Sequence, residues 1–124
     1  YNRVGVVDVF QINHHGLDVS NNPVLVNSLS PTVTVFNNGH KKGCGAGSFG
    51  TVKACKSNVA IWQAHKNLRT DSENNTDDKF IANFEPTPAC KGHYLKLSVS
   101  PDGKTYAISN SRNGHKVTYE TKKK

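Results

Sequence analysis

A chain of 124 residues with 35% hydrophobic positions allows one domain or a piece of one, and excludes most multidomain enzymes. Such a length buries roughly 65–70% of the unfolded surface, enough for a core without obligatory disulfides or metals. The formal charge of +7 is unevenly spread: residues 1–90 carry 8 basic and 7 acidic side chains, residues 91–124 carry 8 and 2.

No apolar run is long enough to span a bilayer. No charged and then apolar leader follows Tyr1, so the reading is a soluble chain without a visible signal peptide and of undetermined compartment.

Taken in chain order, Val4 to Ile12 (VGVVDVFQI) is rich in β-branched residues and predicts a buried strand ending at Asn13-His14-His15-Gly16. Ser20-Asn21-Asn22-Pro23 offers capping side chains and a proline suited to a first helical turn, so VLVNSL reads as a short helix stopped by Ser30-Pro31. Thr32 to Asn37 predicts a second strand, with a turn at Asn38-Gly39. Five of the ten glycines lie between Gly39 and Gly50; a helix over Ser48 to Lys56 follows, weakened by Gly50. Val59 to Ala64 reads as a third strand, Asp71 to Asp78 as an exposed acidic loop, and Lys79 to Asn83 as a short helix.

Beyond Pro86 and Pro88 the pattern becomes a meander. Tyr94 to Ser100, Thr105 to Ser109 and Lys116 to Thr121 are strands, separated by turns at Pro101-Asp102-Gly103 and Asn113-Gly114. The order predicts an α/β fold over residues 1–90, extended in the same domain by a basic three-stranded antiparallel meander over 91–124.

Residues 45–52, GAGSFGTV, satisfy the GxGxxGxV pattern of a phosphate-cradling loop. The reading fails on context: Trp62 stands where the lysine after Val-Ala-Ile should be, neither HRD nor DFG occurs, and no strand runs into Gly45. The segment reads as a plain glycine-rich loop. Cys44, Cys55 and Cys90 lack CxxC spacing and read as small buried residues, with their disulfide state open.

His14-His15-Gly16 is the stronger chemical signal, because imidazoles at a strand terminus face the cleft where α/β proteins place ligands. Adjacent strand residues point to opposite faces, so both rings reach one metal ion only if the chain has already bent into the glycine turn. Surface or core histidines account for most such pairs. Asp18 could orient an imidazole or serve as a cap. His40, His65, His93 and His115 are scattered. Arg112, Lys116, Lys122, Lys123 and Lys124 are the candidates for a surface binding nucleic acid or another polyanion, against the plainer reading of a solvated end.

The segment Asp8 to Gly39, DVFQINHHGLDVSNNPVLVNSLSPTVTVFNNG, closely resembles the C-terminal half of metallo-β-lactamase-fold hydrolases of the competence-protein-like group. The resemblance continues through Trp62 to Asn67, Phe80 to Asn83, Gly92-His93-Tyr94, Pro101-Asp102-Gly103 and Asn110 to Gly114. It implies part of an αββα sandwich with zinc at the strand ends, where metal-activated water hydrolyses a phosphodiester or ester. It assigns a ligand role to His15, with His14 as the less favoured candidate.

The HxHxDH motif of that group is absent, and His40 stands where its members more usually have proline. The expectation is therefore a weakly active or inactive portion of a hydrolase. Its site would be completed by a missing N-terminal half or by a second copy, and its uncovered sheet edges would favour association. The alternative expectation is a non-catalytic polyanion-binding module that uses the basic C-terminal sheet.

Overall fold

Three β-branched runs pair side by side in the computed structural model, which describes residues 2–71 and 73–123. Strands β1 (Val9–Gln11), β2 (Val33–Phe36) and β3 (Ala60–Gln63) form a parallel sheet in the order β1-β2-β3, with Val9 opposite Val33 and Val33 opposite Ala60. Parallel neighbours require crossovers, and helices α1 (Pro23–Leu29) and α2 (Ala46–Ala54) provide them. Strands β4 (Leu95–Val99), β5 (Thr105–Asn110) and β6 (Lys116–Glu120) form a separate antiparallel sheet in the order β4-β5-β6.

Alternation along the parallel strands sends side chains to two cores. Phe10, Phe36 and Ile61 meet Ile12, Val26, Phe49, Val52, Cys44 and Cys55 on the helical side. Val33 and Trp62, with Val9 and Val35, meet Tyr106, Ile108, Val117 and Tyr119 of the antiparallel sheet. The parallel sheet is thereby covered on both faces, as its continuous apolar runs demand.

Helix α1 starts as its sequence predicts: the Asn22 side chain accepts from the Val24 N–H at 2.8 Å, and Pro23 occupies the first turn. Three elements depart from expectation by more than one residue at an end. The strand expected from Val4 contracts to Val9–Gln11, because Asn2 Oδ1 accepts the N–H groups of Val4 and Gly5 in a turn with Gly5 at φ 82°. Val4 and Val6 are left exposed. The second helix begins at Ala46, two residues before the predicted start, because Asp18 caps it from outside. The helix expected over Lys79 to Asn83 is a 3-10 turn at Asp78–Phe80; Ile81 then pairs with Gln63 in a parallel bridge, which extended backbone alone permits.

All three cysteines are free thiols, Cys44 and Cys55 buried and Cys90 partly so. Burial pushes the Cys44 thiol from its ordinary 9.0 up to about 12, against the pull of the Arg69 charge, and the thiol donates to the Asn74 carbonyl at 3.1 Å. Burial, and then the Asp8 charge, raise Tyr106 from 10.0 to about 12. Both groups are held neutral in the folded chain, so their contribution is complete below the unfolded values and is lost as pH rises toward about 12. Urea midpoints are expected to fall steadily above pH 9, with a shallower slope in Cys44→Ala.

Candidate functional site

The first strand runs straight into the histidine pair. His14 (φ 51°), His15 (φ 59°) and Gly16 (φ 85°) all lie in the left-handed region, within the Asn13–Gly16 turn that follows β1 after Ile12. Two histidines in that conformation cost on the order of 1–2 kcal/mol each, a strain characteristic of functional turns.

The glycine-rich loop is what holds this turn. Cys44 N donates to the His15 carbonyl at 2.9 Å and Gly45 N to the Gly16 carbonyl at 2.8 Å. Gly43 lies so close that a Cβ there would overlap the His15 carbonyl oxygen. Gly45 and Gly47 make room for the Asp18 carboxylate, which accepts the Ser48 N–H at 2.9 Å in the first turn of α2. Ser48 Oγ in turn donates to the Leu17 carbonyl and receives Asn21 Nδ2. Of the two roles open to Asp18, the geometry is that of the cap, and the GAGSFG pattern is its socket. Asp18→Ala should cost about 1 kcal/mol in urea unfolding.

The same loop is gripped from its other side by Arg69. The guanidinium donates to the carbonyls of Lys41 (3.2 Å), Gly43 (2.6 Å) and Cys44 (3.2 Å), and is oriented by the Asp71 carboxylate at 3.0 and 3.1 Å. The Arg69 hydrogen bonds hold the Asp71 carboxyl below its ordinary range.

The two predicted ligands diverge. His14 Nδ1 lies 3.3 Å from Ser20 Oγ, whereas His15 Nδ1 lies 2.7 Å from the Asn37 carbonyl, and the ring centroids are 6.2 Å apart. A carbonyl only accepts, so His15 carries a proton on Nδ1, and its Nε2 has no hydrogen-bond partner among the described residues.

Asn37 also lines a cleft of about 310 Å³ at the carboxyl ends of the parallel strands, with Gln11, Val35, Ala64, His93, Tyr94 and Leu95. That is where ligands enter open α/β sheets. His93, one of the scattered histidines, is brought here by Asn83. The Asn83 carboxamide receives the His93 N–H, donates to the His93 carbonyl and donates to Ala64 at the end of β3, each at 2.8 Å. The His93 ring makes no hydrogen bond among the described residues. His65, by contrast, is buried with both ring nitrogens against carbonyls, those of Lys66 (2.7 Å) and Glu85 (2.9 Å), and is a structural tie.

Among the described residues no group of three or more His, Cys, Asp or Glu side chains is placed to hold a metal ion. No described helix is long and apolar enough to cross a membrane.

The basic candidates scatter. Arg112 donates to the carbonyls of Ile81 (3.0 Å) and Asp78 (2.7 Å) and lies 4.1 Å over the Phe84 ring. Lys122 fastens the end of the chain to the parallel layer: its N–H meets Asp8 Oδ1 at 2.7 Å, and Nζ donates to the carbonyls of Val7 and Ser30. Lys116 on β6 and Lys123 are exposed; Lys124 lies outside the described residues. Comparison with protein families, with curated proteins and with solved structures found no match.

Proposed function

We propose that the chain is the portion of a metal-dependent hydrolase that supplies one histidine ligand, His15, to a zinc centre, within part of an αββα sandwich. The observation that carries this reading is the 2.7 Å contact between His15 Nδ1 and the Asn37 carbonyl, which leaves Nε2 free on a strained turn tied to the wall of the strand-end cleft. Helices on one face of the parallel sheet and an antiparallel sheet on the other suit the layering. The reading also draws on the resemblance of the HHG, SNNP and NNG segments.

A catalytic zinc needs about three protein ligands, and the described residues do not fit that requirement. The others come from a second segment or a second copy. Leu97 (46% exposed) and Val99 (60%) on the edge strand β4 offer one apolar surface to such a partner.

Zinc titration followed by NMR of the histidine ring protons tests the reading. Weak binding that shifts the His15 ring first, survives His14→Ala and disappears in His15→Ala is the expected result. Tight stoichiometric zinc in the isolated chain, or shifts that survive His15→Ala, would overturn it. Light scattering is expected to show concentration-dependent association; a strict monomer at high concentration would remove the second copy as the completing partner.

A further inference from the structure

Behind His93 lies a second cavity, of about 220 Å³, lined by Asn83, Phe84, Glu85, Lys91, His93 and Arg112. We infer that this cavity is a binding site for a phosphate group, separate from any metal at His15 and adjoining the strand-end cleft across His93.

Arg112 supplies the most firmly held cation of this cavity. Its Nε and one terminal nitrogen are committed to the carbonyls of Ile81 and Asp78, and its plane lies 4.1 Å from the Phe84 centroid. Three restraints fix the guanidinium while the other terminal nitrogen has no partner among the described residues. A cation already ordered in this way loses little entropy on meeting an anion, and its planar fork suits phosphate oxygens. Lys66 stands 5.3 Å from the same Phe84 ring, so the aromatic ring is flanked by cations and orients them; it is not a free stacking platform.

The facing wall belongs to the segment leading into β4. Lys91 is exposed and has no hydrogen-bond partner among the described residues. His93 is locked at its backbone by Asn83, yet its ring is uncommitted. Donors therefore face the cavity from two segments, the turn after β5 and the approach to β4. That arrangement suits a tetrahedral anion with several terminal oxygens better than a planar carboxylate. Lys66 pairs with Asp78 at 3.0 Å, leaving Lys91 and Arg112 as lining cations without an ion-pair partner among the described residues. Glu85 is the one acidic residue among the described residues that line the cavity, and its charge opposes an anion.

That opposition gives the test its signs. Inorganic phosphate and glycerol 3-phosphate are titrated at constant ionic strength, with backbone amide NMR reporting on Phe84, Gly92, His93 and Arg112. Saturable shifts at these positions are expected. Lys91→Gln should weaken binding about fivefold and Arg112→Gln about tenfold or more, whereas Glu85→Gln should tighten it. Lys116→Gln removes the same charge from exposed β6 and should leave affinity unchanged.

Because Arg112 also ties two carbonyls, Lys91→Gln and Glu85→Gln carry the conclusion if Arg112→Gln fails to fold. Tighter binding of glycerol 3-phosphate than of inorganic phosphate identifies the source of the group as an ester. Equal affinity identifies it as the free ion, and either saturable result supports the site. Shifts that do not saturate, or that Lys116→Gln weakens as much as Lys91→Gln, would overturn the site altogether.

Discussion

Trp62→Ala is expected to lower the unfolding free energy by about 3–5 kcal/mol, a large share of what a domain of this size holds. Trp62 is wholly buried in β3, the last strand of the parallel sheet, at its junction with the antiparallel sheet. It packs edge-on against Phe80 at 4.8 Å, stacks on His115 at 5.7 Å and donates from Nε1 to Tyr119 Oη at 3.1 Å. Truncation would remove the ring from both layers at once and leave a buried void that neither sheet can close without moving the other. Trp62→Phe retains most of the apolar contact but abandons the Tyr119 hydroxyl, and should cost about 1–2 kcal/mol. Since the chain has one tryptophan, unfolding is followed by circular dichroism in urea. A loss below about 1 kcal/mol for Trp62→Ala would mean that the two sheets do not share a core.

Gly43→Ala is the second large effect, because it strikes the candidate site. Gly43 sits at φ 83°, where an L side chain costs roughly 1–2 kcal/mol, and a Cβ would overlap the His15 carbonyl oxygen, a backbone atom that cannot swing aside. The loop must lift from the histidine turn, breaking the bonds from Cys44 N to His15 and from Gly45 N to Gly16. A loss of about 2–4 kcal/mol is expected, together with loss of the zinc response proposed for His15. Gly50→Ala is the counterpart. It lies in α2 with open space around it, so alanine should stabilise by about 0.5–1 kcal/mol and leave His15 untouched. Equal behaviour of the two variants would show that the Gly43 contact does not hold the turn.

Much of the fold is legible in the local chemistry of the chain. Asn22-Pro23 announces a helix start that needs nothing beyond its own neighbours, and the turns Pro101-Asp102-Gly103 and Asn113-Gly114 register the meander because their backbone requirements are local. The limits of β1 are less legible: Val4 and Val6 look like strand residues, but the competing turn set by Asn2 removes them from the sheet.

The candidate site divides in the same way. The His-His-Gly turn could be found from the sequence, since a histidine pair at the end of a β-branched run meets a glycine. His93 and Asn83 could not be found from spacing. Asn83 acts only by joining Ala64 to His93 across segments far apart in the chain. Arg69 and Gly43 were equally silent, because an arginine that gathers three carbonyls and a glycine pressed on a distant carbonyl have no local signature.

By itself the sequence determined the α/β character, the antiparallel ending, the helix cap and the location of the histidine pair, all properties of residues within a few positions of one another. Tertiary structure alone decided that the glycine-rich segment is a socket for Asp18, that Lys122 and Arg112 are drawn into internal ties, and that His15 and His14 part company. The physical reason is common to all of them. Each depends on a carbonyl, carboxylate or hydroxyl brought near by chain crossing, and sequence spacing carries no record of such a partner.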